Sequence, residues 1–182
     1  MRAGTRMVLA ALLSLLALGV VVAPASAAGG AYCGIGVNGL IADRYAQLGN
    51  HWGVLGCPTG WAHSVYPSGE EQWFQHGTIA WSPGTGNCSV QAAWLENGRI
   101  WLDWGVTDPY HYDTWLVRID RGGSNLGQPE YWNGSPGVWA NHGRVQLPDY
   151  GSGFFQIIIK GCDYDGSHTC DQPWSNPVYV GI

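Results

Sequence analysis

The chain of 182 residues carries 11 Trp and 9 Tyr against only 3 Phe, has 5 Cys, and bears a formal net charge of −5. Its 8 Lys and Arg are scattered, and without clustered cations to replace phosphate counterions a nucleic-acid partner is excluded and an anionic membrane surface disfavoured. Residues 1–27 read as a cleaved secretory signal: Arg2 and Arg6 at the head, an apolar run from Met7 to Val22, then small residues ending in Ala25-Ser26-Ala27. That run is short for a bilayer, which takes about 20 apolar residues, and no second run follows, so no membrane span is expected in the mature chain. Removing the segment leaves 155 residues with 6 basic and 13 acidic side chains, a charge of −7. Residues 28–38 form a lead-in, in which Ala28 to Tyr32 separate the cleavage point from Cys33. A lipid-anchored protein would place a cysteine directly after cleavage, so free secretion is expected.

Leu40, Ile41, Arg44, Tyr45 and Leu48 recur at helical spacing, and Gly49-Asn50 supplies a stop, which predicts a short amphipathic helix over 38–48. Gly53, Gly56, Pro58 and Gly60 then break the chain too often for regular structure. Trp73, Phe74, Ile79 and Trp81 predict two short strands around His76-Gly77, and residues 88–94 a returning strand after a Gly-rich turn. Beyond a change of character at 90–98, Ile100, Leu102 and Trp104 alternate with Trp101 and Asp103, and Trp115, Val117 and Ile119 with Leu116 and Arg118. Period two makes both half-buried strands. Gly122 to Asn125 is a hairpin turn, and 144–147, 154–160 and 177–180 are further strands, with Phe155, Ile157 and Ile159 on one face. Short strands with frequent turns argue a two-sheet sandwich. The expected fold is therefore mostly β.

All five cysteines, Cys33, Cys57, Cys88, Cys162 and Cys170, lie in the exported part, where an oxidising compartment favours disulfides. Cys162 and Cys170 bound a short polar loop and are expected to pair, whereas the sequence selects no pair among the other three. Catalytic signals are sparse. Gly-x-Ser-x-Gly and His-Glu-x-x-His are absent, and His51, His63, His76, His111, His142 and His168 are dispersed. Glu70 and Glu71 are adjacent, so on a strand they face opposite ways and cannot flank one glycosidic bond. Asp163, Asp165 and Asp171 offer oxygen ligands, but Trp174 stands where an EF-hand needs glutamate, and a disulfide-held polar loop accounts for them without a metal. No enzyme activity, cofactor or metal is expected.

The aromatic load points to binding. Trp52, Trp61, Tyr66, Trp73 and Trp81 crowd one stretch of about 50 residues, and a unit that small leaves much surface exposed. Aromatic faces beside amides and carboxylates hold sugar rings by C–H contact and hydrogen bonds. Trp52 and Trp61, in Gly-rich loop sequence, are the leading candidates for exposed ring platforms; Trp73 and Trp81, on predicted strands, lean toward the core. Trp101, Trp132 and Trp139 are open cases, and Trp104 is expected in the core.

Residues 39–94 resemble the LGFP repeat of exported envelope proteins in high-GC Gram-positive bacteria. The resemblance rests on Ile41 to Gly49, on Gly53-Val54-Leu55-Gly56-Cys57-Pro58-Thr59, and on Trp73 to Gly86. Cys57 occupies the aromatic position of Leu-Gly-Phe-Pro, and one repeat is present where many relatives carry several. Residues 95–182 resemble a fibronectin type III or similar immunoglobulin-like sandwich, through Trp104, the strand after Tyr112, and Trp174-Ser175-Asn176-Pro177-Val178. The first resemblance implies a small α+β module, secretion and attachment to the cell wall, with wall polysaccharide or peptidoglycan as partner. The expected function is a non-enzymatic, envelope-associated binding module. An extracellular protein-interaction or inhibitor module, or a secreted hydrolase, is the alternative.

Overall fold

The computed structural model describes residues 30–85, 89–164, 169–170 and 172–182. The expected signal segment, Cys88, residues 165–168 and Asp171 lie outside the described residues. Two helices, α1 (Gly30–Cys33) and α2 (Gly39–Gln47), precede β1 (His63–Ser64), β2 (Glu70–Phe74), β3 (Gly77–Trp81) and β4 (Val90–Glu96). Then follow β5 (Arg99–Gly105), β6 (Thr114–Arg121), β7 (Ser124–Gly127), β8 (Glu130–Trp132), β9 (His142–Gln146), β10 (Phe154–Cys162) and β11 (Val178–Gly181). They form two antiparallel sheets, ordered β1-β2-β3-β4-β5-β9 and β11-β10-β6-β7, with β8 also paired to β6. This is the mostly β, two-sheet architecture with one amphipathic helix that the sequence predicts. No described helix is long and apolar enough to cross a membrane.

Alternation along the strands sorts side chains between two cores. Phe74, Ile79, Ala92 and Trp94 face Ile41 and Tyr45 of α2. Ala80, Ala93, Leu102 and Trp104 point the other way, onto Val117, Ile119, Phe155, Ile157 and Val178 of the second sheet. The central strands β3 and β4 are therefore buried on both faces, by helix on one side and sheet on the other. Each large apolar side chain hidden this way contributes about 1.5–3 kcal/mol against chain entropy. Trp104 is in the core as expected, and Gly143 makes room for it: a Cβ at that position would lie 2.2 Å from Trp104 Cζ2.

The boundary expected between residues 94 and 95 falls inside β4. Trp94 pairs with Gly77 of β3 on one side and with Trp101 of β5 on the other, so the two halves of the sequence share one sheet. The change of character at 90–98 marks a hairpin. Asn97 and Gly98 close β4 on β5 with φ values of 52° and 73°, the pair of left-handed residues that a two-residue type I′ turn requires.

Polar links hold the layers in register. Asp103, on the helix side of β5, accepts from Arg144 Nε at 2.7 Å and from Arg44 of α2, whose guanidinium also donates to the Gly105 carbonyl. Burial lowers the Arg44 pKa, and Asp103 opposes that shift. On the inter-sheet side, the Trp174-Ser175-Asn176-Pro177 segment latches the chain end. Asn176 Nδ2 donates to the carbonyls of Ser68 and Trp81 at 2.8 and 2.7 Å, and the Asn176 N–H donates to Ser82 Oγ at 2.8 Å. Gln91 Nε2 donates to the Asn176 carbonyl at 3.2 Å. Two disulfides complete the frame: Cys162–Cys170, as expected, and Cys33–Cys57, which the sequence leaves open.

Candidate functional site

The first exposed aromatic group is built around the turn that follows α2. Gly49 ends the helix with φ 93°, and residues Asn50–Trp52 form a 3-10 turn that sends Trp52 outward, where it is 77% exposed. The Cys33–Cys57 disulfide holds the end of α1 nearby. Tyr32 accordingly stacks on His51 at 4.5 Å between ring centroids and meets Trp52 at 5.2 Å. Trp61, 66% exposed, rests against Gly36, where a Cβ would come within 3.4 Å of the indole. Buried Gln72 fixes that arrangement, its Nε2 donating to the carbonyls of Gly36 and Gly60 at 2.9 and 3.0 Å. Tyr66 is 97% exposed. Among the described residues no ring contact joins Trp61 or Tyr66 to the Tyr32, His51 and Trp52 group.

The two strand tryptophans behave differently. Trp81 is half-buried and packs against the helix-side core. Trp73, also half-buried, reaches the edge of the sandwich and lies parallel to two rings from the other end of the chain. Its centroid is 5.4 Å from Tyr179 and 5.9 Å from Phe154, and those two are 5.7 Å apart, with interplanar angles of 14°, 5° and 13°. These rings line a cleft of about 300 Å³ whose wall also includes Gln75, His76 and Leu95. Tyr32, His51, Phe154 and Tyr179 are the binding candidates that sequence reasoning missed. A signal existed for the last two: period two puts Phe154 opposite Phe155 and Tyr179 opposite Val178 and Val180, hence away from the core.

Beneath this edge lies an unusual carboxyl. Glu70 is exposed and Glu71 buried, on opposite faces of β2 as the strand dictates. Burial pushes the Glu71 pKa up to about 7, and hydrogen bonding with the Trp73 side chain pulls it partly back. Glu71 Oε1 has no hydrogen-bond partner. A single carboxyl of this kind lacks the facing partner that glycoside cleavage needs. Asp108 and the ring of His111 meet at 3.3 Å, and Asn141 Nδ2 donates to the same Asp108 oxygen at 2.9 Å, all on exposed loops. Among the described residues no three His, Cys, Asp or Glu side chains are gathered to hold a metal ion. Trp101 is half-buried beside Trp94, whereas Trp132 and Trp139 are exposed, the one against Tyr164 and the other stacked on His142.

Residues 55–107 match the family model of the LGFP repeat. The match starts at Leu55-Gly56-Cys57-Pro58 and takes in β1 to β5, five of the six strands of the helix-covered sheet. It suggests an extracellular or cell-envelope-associated module, and the two disulfides are compatible with that setting. No curated protein and no solved structure matches the chain.

Proposed function

We propose that the chain is a secreted, non-enzymatic module of the cell envelope that holds wall polysaccharide or peptidoglycan through exposed aromatic faces, Trp52 and Trp61 foremost. The carrying observation is the mounting of those two rings. Both are more than half exposed, although an indole left in water forgoes about 2–3 kcal/mol of burial. Both stand on short loops pinned by a disulfide and by Gln72, so little conformational entropy remains to be lost when a ligand binds. Rigid, flat, half-wet rings are the standard means of gripping the apolar face of a sugar. The LGFP repeat supports the envelope setting, and the second sheet would serve as spacer or partner surface.

Sedimentation with purified cell walls tests this reading. The protein is expected to co-sediment, and Trp52→Ala with Trp61→Ala together to reduce the bound fraction about tenfold or more. Retention that is unchanged in the double variant, or that survives stripping all glycan from the walls, refutes it; the second result would favour a protein partner.

A further inference from the structure

Trp139 is an exposed tryptophan that neither core claims. It is 51% exposed and belongs to neither apolar cluster. Among the described residues its one ring contact is His142, with centroids 4.6 Å apart and planes within 8° of parallel. The imidazole backs one face of the indole and leaves the other to solvent. An indole that served only the fold would be turned inward, where its large apolar surface is worth most. Residue 139 also lies beyond the 55–107 stretch that matches the LGFP repeat, so the repeat does not account for it.

The ring stands on a fixed mount. Its carbonyl accepts from Nε1 of Trp115, a core side chain, at 3.0 Å, and its N–H donates to the His142 carbonyl at 2.8 Å. The loop between β5 and β6 is zipped to the loop between β8 and β9: the Thr107 N–H donates to the Asn141 carbonyl at 3.0 Å, and the Tyr112 N–H to the Ala140 carbonyl at 2.7 Å. A polar chain links this mount to a carboxylate. His142 Nδ1 donates to Asn141 Oδ1 at 2.7 Å, Asn141 Nδ2 donates to Asp108 Oδ1 at 2.9 Å, and His111 Nε2 meets that same oxygen at 3.3 Å. Both bonds to Asp108 end on Oδ1, so Oδ2 is an acceptor without a partner among the described residues. Hydrogen bonding from Asn141 holds the Asp108 carboxyl below the ordinary aspartate range, and among the described residues no Lys or Arg pairs with it.

We infer that Trp139 is a second glycan platform, on which a neutral pyranose unit of the glucose or N-acetylglucosamine kind lays its C–H face while a ring hydroxyl donates to Asp108. Sugars with equatorial substituents present a flat face of axial C–H bonds, which one indole covers. Their hydroxyls ring that face, and a charged oxygen with free lone pairs is the stronger kind of acceptor for them. An ionised Asp108 without a paired Lys or Arg repels a uronic acid or a phosphate, which selects a neutral unit. The inference rests on the polysaccharide reading for its ligand class, and it adds a second point of attachment on a different pair of loops from Trp52 and Trp61. Two sites on one chain raise retention on a polymer through effective concentration.

Titration of the full mature protein with chitotriose and with cellotriose tests it, read by the Trp139 indole N–H resonance and, in a Trp52→Ala/Trp61→Ala background that removes the first site, by calorimetry. At least one trisaccharide is expected to shift Trp139 with a Kd on the order of 0.1–1 mM. Adding Trp139→Ala should weaken the calorimetric binding about tenfold or more, and adding Asp108→Asn, which keeps the shape and removes the charge, about three- to fivefold. A Trp139 signal that neither sugar moves at about 10 mM, or an affinity indifferent to either added substitution, overturns the inference. Wall retention alongside a silent Trp139 would sink the platform while leaving the wall reading intact. Trisaccharide binding at Trp139 without wall retention would do the reverse.

Discussion

Glu71 concentrates the cost of building the aromatic edge. Burial holds its folded pKa at about 7, above the 4.5 of an ordinary glutamate, so between those values the unfolded chain gives up the proton while the folded one keeps it. Stability contributed by this group is therefore full below about pH 4.5 and falls as pH rises toward 7. Glu71→Gln is expected to stabilise the protein by about 1–2 kcal/mol at pH 8, with solvent screening at the sheet edge counted, and to change it little at pH 4. Urea unfolding at the two pH values measures the difference. At this scale the sequence was legible where a residue's surroundings are local. Gly-rich flanks marked Trp52 and Trp61 as loop rings, and both are exposed. Adjacency on a strand separated Glu70 from Glu71. It was illegible where a partner arrives from far along the chain, since Trp73 and Tyr179 lie more than 100 residues apart and meet only through the pairing of two sheets.

Among the elements, α2 shows how a nine-residue helix is held on a sheet. Ile41 and Tyr45 supply the apolar face, and Arg44, one turn over, reaches Asp103. That carboxylate is shared with Arg144, so its removal strands a buried guanidinium. Asp103→Ala is expected to cost about 3–5 kcal/mol, whereas Arg144→Ala, whose side chain is half-exposed, should cost about 1 kcal/mol or less. Thermal unfolding of the two variants checks the ordering. Helical spacing predicted α2 over 38–48, and Gly39–Gln47 is observed. Period two located the central strands. The short edge strands β1, β7 and β8 left no such trace, because two to four residues are too few to display an alternation. Asn97-Gly98 is different: the pair is a strong hairpin signal in the sequence, and it joins β4 to β5.

The whole molecule is organised around the shared sheet. The buried apolar residues under its helix come from 37–94, with Trp101 of the second half packed beside them, and its inner face is filled by both halves. Cys57 has a place in this scheme. Standing where the repeat signature carries an aromatic residue, it bonds Cys33 and fastens the start of the described chain beside Trp52. The link spans 24 residues, so replacing both cysteines by serine is expected to cost about 3 kcal/mol on the loop-entropy model. The same variant should weaken wall retention although no aromatic residue is altered, and denaturation paired with sedimentation reads both effects. Composition alone showed that 11 Trp and 9 Tyr exceed what small cores hide. Which rings remain outside depended on pairings that no local pattern encodes.

Isotope-edited spectra of the indole N–H groups, recorded while soluble wall polysaccharide is added, test the binding claim most directly. The resonances of Trp52 and Trp61 are expected to shift and saturate, while those of Trp94 and Trp104, buried in the two cores, stay where they are. Silence at Trp52 and Trp61 under saturating polysaccharide would contradict the claim.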